Sequence, residues 1–188
     1  VEVKAGSDDT VADYTSGSLD LITGNDVGLD RNLFAFRLPT AQTYRYWQFD
    51  FSDTGNSDGF FEIGRAYLSK AFVPDVNISY GFSQGFIDNS RVVRTRSGDA
   101  IPVIRTPYKI FSGTLDFQSE DEMFDNIYEM ERLRGLSKDV LFIKDIETTA
   151  NIQRQSIYGL FNTLPPIRHR FFKVFAKQFE ITEIPSGV

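Results

Sequence analysis

Alternation of apolar and polar positions dominates the chain. From Tyr44 to Phe51, Trp47, Phe49 and Phe51 fall on one face and Tyr46, Gln48 and Asp50 on the other, as in a half-buried strand whose Trp side meets a core. Leu33 to Leu38 alternates in the same way and stops at Pro39-Thr40, and Phe60 to Leu68 predicts a further strand with Gly64 marking a bulge or close backbone approach. Residues 1–30 read as loops with one strand near Ser18–Ile22, and 69–90 as a long connection with short extended pieces. Arg91–Arg96 and Ile101–Arg105 then flank Ser97-Gly98-Asp99-Ala100, which predicts a projecting β-hairpin with a four-residue connection. Pro102 lacks a ladder donor and is expected on an edge or at a strand start.

Tyr108 to Phe117 alternates clearly, and at Ser119 the period changes. Ser119-Glu-Asp-Glu122 is a capping box, and Met123, Phe124, Ile127, Met130 and Leu133 recur at helical spacing behind it. Acidic residues in the first turn, Arg132 and Arg134 in the last, and Gly135 as a left-handed stop bound one helix over about 119–134. Strands are predicted again at Lys138–Ile143, Ile152–Thr163 and Phe171–Glu183, with Pro165-Pro166 and a basic connection Arg168-His169-Arg170 between the last two. The expected fold is mainly β. An all-β part occupies about 1–90 and a β-β-α-β-β-β part about 91–188, in two-layer β-sandwich packing with the helix covering one face or edge.

Composition narrows the chemistry. The chain has 188 residues, enough for one large or two small domains with a packed core. A net charge of -6 opposes nucleic-acid binding, which rests on clustered Lys and Arg. There are no cysteines and one histidine, His169, so disulfides, thiolate zinc sites, Cys nucleophiles and multi-His metal centres are excluded. No apolar run approaches the roughly 18–20 residues that span a bilayer, and no signal-like segment opens the chain. Asn77-Ile-Ser79 fits a glycosylation sequon, a pattern common by chance.

Three constellations carry candidate chemistry. Asp50, Asp53 and Asp58, with Asn56 and Glu62 nearby, offer oxygen ligands for a cation. Aligning Asp58-Gly59 with the fifth and sixth positions of an EF-hand loop puts Thr54 first and Arg65 twelfth, where acids are required, so the choice lies between an irregular cation site and a turn rich in Asx hydrogen bonds. Tyr44 and Tyr46, and with them Tyr67 and Tyr80, would stack on sugar rings if exposed. Arg91, Arg94, Arg96 and Arg105 are the main basic concentration in an acidic chain, read either as a solvated hairpin or as a subunit contact that meets an acidic neighbour. No nucleophile elbow, P-loop or dinucleotide glycine cluster is present, and His169 reads as a surface or hydrogen-bonded histidine. Paired carboxylates of the glycosidase kind would require a cleft with two acids about 5–9 Å apart. Neither enzymatic activity nor a cofactor is expected.

The stretch "YRYWQFDFSDTGNSDGFFEIGRAYLSKAFVPDVNISYGFSQGFIDNSRVVRTRSGD" resembles tail proteins of long-tailed bacteriophages in its Trp strand, Asn/Asp-Gly turn, "EIGR" run and "RTRSGD" hairpin. The second half, with a strand, a helix and the "VLFI" and "IYGLF" strands, is similar in layout to distal-tail and tail-tube-like proteins. Trp47 and Glu62-Ile63-Gly64 also look like the matching strands of discoidin-like, carbohydrate-binding-module-like jelly rolls. The resemblance spans about residues 44–184. It implies a structural component of a virion tail tip or baseplate, assembled in the bacterial host cytoplasm into a homo-oligomeric ring with other tail proteins. A module contacting host surface glycans is the alternative it implies.

Overall fold

The structure, a computed structural model, describes residues 1–10, 12–19, 35–55, 57, 59–60, 63–147, 151–152 and 154–184. It is mainly β with antiparallel sheets and one helix, as expected. The chain divides into two compact units, Val1–Ala71 with Asp145–Gln153 and Phe72–Lys144 with Arg154–Val188. The sequence places the division near residue 90. The contacts draw it at residue 71 and return a short later segment to the first unit.

The first unit holds a three-stranded sheet in the order β2-β1-β3, formed by β1 (Glu2–Gly6), β2 (Tyr14–Ser18) and β3 (Tyr46–Asp50). The central strand β1 buries Val3 and Ala5 and turns Glu2 and Lys4 outward, a period-2 pattern that suits one-sided packing. Ala5 pairs with Trp47, and the Trp47 indole N–H donates to the Tyr44 carbonyl at 3.1 Å. Trp47 and Phe49 are half-buried rather than fully enclosed.

Strand predictions elsewhere in this unit need correction. Of the run Leu33–Leu38, the described part 35–38 forms no strand, and of Phe60–Leu68, residues 63–68 form none. Ile63 and Leu68 are about half exposed, so this apolar run is not packed into a core. Gly64 is neither a bulge nor a close approach, since a Cβ there would meet nothing within 4 Å. Residues 33–34, 61 and 62, and most of the strand expected near Ser18–Ile22, lie outside the described residues.

The second unit is built on a six-stranded antiparallel sheet of order β4-β7-β11-β9-β8, with β10 also paired to β11. Its strands are β4 (Ser83–Ile87), β7 (Tyr108–Gln118), β8 (Val140–Ile143), β9 (Ser156–Thr163), β10 (Arg168–Phe171) and β11 (Val174–Glu183). The hairpin strands β5 (Arg91–Arg94) and β6 (Ala100–Val103) form a two-stranded sheet of their own. Phe111, Val140, Ile157, Phe161, Phe179 and Ile181 make one buried cluster on one side of the six-stranded sheet. The opposite side is mixed: Ile110 and Leu160 flank Thr182 in register, and Asn162 donates to Glu180 at 2.6 Å and Thr182 to Asn162 at 2.6 Å. At Gly159 the Thr182 carbonyl oxygen would lie 2.0 Å from an added Cβ, so only glycine lets β9 and β11 approach this closely.

The helix follows β7 as a π-helical run, Glu122–Tyr128, that continues into α1, Glu129–Arg134. Its capping box forms as predicted, with the Glu122 amide donating to Ser119 Oγ at 3.3 Å and the Ser119 amide to Glu122 Oε2 at 3.2 Å. In the π-helical run Met123 and Ile127, four residues apart, are buried and Phe124 is exposed, and in α1 Leu133 is exposed as well, so the apolar stripe is narrower than helical spacing suggests. Gly135 closes the helix at φ 55 and ψ -149, a glycine-only conformation outside the left-handed region expected. Met123, Ile127 and Phe175 form a second buried cluster. Lys177, on the buried side of β11, pairs with Glu131 at 2.7 Å and donates to the Pro165 carbonyl, which ties the helix to the sheet. The basic stretch read as a connection is strand β10.

Candidate functional site

The hairpin brings most of the predicted basic group together. Arg91 pairs with Val103, Val92 with Pro102, Val93 with Ile101 and Arg94 with Ala100. Side chains alternate across a two-stranded ribbon, so one face carries Arg91, Val93, Ile101 and Val103, and the other Val92, Arg94, Ala100 and Pro102. Every residue of both strands except Val103 is exposed, and Pro102 sits in a strand that pairs on one side only, as its missing donor requires.

The connection is five residues, Thr95–Asp99, rather than the four expected, because β5 ends at Arg94 and leaves Thr95 and Arg96 to the turn while Ala100 joins β6. It closes through Thr95 N–H to the Asp99 carbonyl at 2.9 Å and Gly98 N–H to the Thr95 carbonyl at 3.0 Å, with Gly98 at φ 94. Ser97 Oγ donates to Asp99 Oδ2 at 2.8 Å, so the tip is satisfied internally. At the base, Ser90 Oγ accepts from Arg105 N–H at 2.8 Å, and Asn89 reaches the Tyr108 hydroxyl at 3.2 Å. Hydrogen bonds from the Ser90 hydroxyl and then its amide hold the Asp88 carboxyl below its usual range.

Arg91, Arg94, Arg96 and Arg105 are exposed, and none makes an ion pair among the described residues. An isolated two-stranded ribbon with an apolar residue and an arginine on each face is marginal in water alone. It is suited to pack between apolar, acidic surfaces and to add strands at its open edges.

The described part of the acidic loop holds a turn at Thr54-Gly55. Asp50 Oδ2 accepts from Lys4 at 2.7 Å and Oδ1 from Gln48 at 2.6 Å, contacts that hold its carboxyl below the usual range, Lys4 more than Gln48. Lys4 also lies 3.3 Å from Glu2, so this acid is already neutralised on the outer face of its sheet. Asp53 Oδ1 accepts from the Gly55 amide at 3.2 Å, an Asx turn. Asp58, Asn56 and Glu62 lie outside the described residues, and no metal-binding cluster of three or more acids or histidines occurs among the described ones.

Tyr44 packs edge-on to Trp47 with ring centroids 6.5 Å apart, and the Arg45 guanidinium lies 5.4 Å from the centre of the Tyr46 ring. One face of Tyr46 is therefore occupied by its own chain. An open depression of about 90 Å³ is lined by Gln84, Gly85, Phe86, Lys109, Phe111 and Arg154. That is well below the roughly 300–1,000 Å³ of small-molecule sites. Burial lowers the affinity of Lys109 for its proton, against the opposing charge of Glu183.

Sequence reasoning missed a line of stacked rings in the second unit. His169 lies parallel to Phe175 with centroids 4.6 Å apart, Phe175 meets Phe124 edge-on at 5.4 Å, and Phe124 lies 6.1 Å from Tyr128. The exposed run Arg168-His-Arg-Phe-Phe-Lys173 was its only local signal. Comparison with protein families, curated proteins and solved structures returned no match.

Proposed function

We propose that this chain is a non-enzymatic structural subunit of a bacteriophage tail tip or baseplate, acting through ring-forming contacts with copies of itself and with other tail proteins. The observation that carries the proposal is the β5–β6 hairpin, an exposed ribbon with unpaired arginines and apolar side chains on both faces. The tail-protein resemblance over residues 44–184 supports the same reading. Of the residues a ligand-binding alternative would use, Asp50 is paired with Lys4 and one face of Tyr46 is covered by Arg45, which favours assembly over ligand contact at these two positions.

The test is composition of the particle. Mass spectrometry of phage particles purified by density gradient should find the chain in fixed stoichiometry with other tail proteins. Its absence from intact particles overturns the proposal.

A further inference from the structure

The line of ring contacts runs from Tyr128 on the helix to His169 on β10, and exposed aromatics lie near each end in the chain. On the helix side Phe124 and Tyr128 are exposed, and on the hairpin joining β10 to β11 Phe171 and Phe172 are 67% and 84% exposed. Lys173, at the turn, has φ 56, a conformation a lysine rarely adopts. Large aromatic side chains left open mark a protein contact where they gather into a patch. Among the described residues β10 pairs with β11 alone, which leaves its outer edge open.

Charge decides what can cover this surface. At the helix end, Glu120 and Asp121 precede Phe124 by four and three residues, and Asp125 follows it, all exposed. Glu122 is not free to join them, since it caps the helix and accepts from the Asp75 amide. At the strand end stand Arg168 and Lys173, while Arg170 is held 3.1 Å from Asp116. A uniformly acidic partner or an anionic bilayer is repelled by the helix end, and a uniformly basic partner by the strand end. A second copy turned through a two-fold axis presents the opposite order at both ends at once.

We infer that this face is an isologous dimer contact in which the acidic, Phe124-bearing helix end of one copy packs on the basic, Phe171-Phe172 strand end of the other. It is separate from the β5–β6 hairpin and does not depend on the tail reading. The experiment uses the purified full chain in sedimentation equilibrium, with circular dichroism confirming that each variant is folded. The wild type dimerises at low salt and dissociates as salt is raised. Glu120→Lys with Asp121→Lys, and separately Arg168→Glu with Lys173→Glu, each raise the dimer dissociation constant by at least about tenfold. The chain carrying all four reversals recovers dimerisation, and Phe171→Ser with Phe172→Ser weakens it without changing its salt dependence. A wild type that stays monomeric, or four reversals no better than two, overturns the inference. So does assembly into oligomers indifferent to every one of these changes.

Discussion

Single atoms decide two positions. At Gly159 the Thr182 carbonyl occupies the space of a side chain, so Gly159→Ala forces β9 and β11 apart. The variant should lose about 2–3 kcal/mol in urea denaturation, and an unchanged midpoint would show that the two strands are not so close. Lys177 is 3% exposed and its partner Glu131 12%, so the ion pair lies inside the packed face. Lys177→Ala strands the Glu131 carboxylate and should cost about 3–5 kcal/mol, whereas Lys177→Met with Glu131→Leu should recover most of that loss. A double variant as unstable as the single one would show that the pair serves more than mutual neutralisation. Neither position declares itself in the sequence. Gly159 looks like any strand glycine, and Lys177 interrupts a run of phenylalanines where alternation alone cannot say which residue it will meet.

Among the elements, the helix was the most legible, because its signals are local. Ser119 and Glu122 cap each other across three residues, and the structure reproduces both bonds. Burial opposes ionisation of Glu122, but hydrogen bonds from the Asp75 amide and from the Ser119 amide and hydroxyl outweigh it and lower its pKa. A carboxyl whose folded pKa is depressed stabilises the fold above its unfolded pKa, near 4.5, and loses that contribution as pH falls through the lower folded value. Thermal unfolding from pH 7 to pH 3 should therefore show an acid-side loss that is smaller in Glu122→Gln; identical profiles would show that the box carries no linkage. The strands were legible only where a partner layer exists. Trp47, Phe49 and Phe51 alternate and lie in or beside a strand, yet the apolar run from Ile63 to Leu68 forms none. Strand β1 went unseen because its few residues are buried by β3, more than forty positions away. Strand β10 went unseen because every residue in it is exposed.

In the molecule as a whole, the described residues carry polar chemistry that is mostly spent internally and contact surface that is not. Asp50, Asp53, Glu122 and Lys177 each have partners within the chain. The hairpin arginines and the apolar side chains between them do not. Among the described residues no helix is long and apolar enough to cross a membrane. If the hairpin is a subunit contact, Arg94→Glu with Arg96→Glu should leave the folded stability within about 0.5 kcal/mol of wild type while reducing incorporation into particles, measured by immunoblot of purified virions. Equal incorporation would remove the arginines from the contact.

The resemblance and the exposed ribbon together make assembly in a phage tail the central claim, and imaging the assembled particle tests it most directly. Electron cryo-microscopy of tails from purified particles should show this chain repeated around the tail axis, with residues 91–105 buried between neighbouring subunits. A density map of the complete tail with no place for the chain, or with that hairpin facing solvent in every copy, would contradict the account.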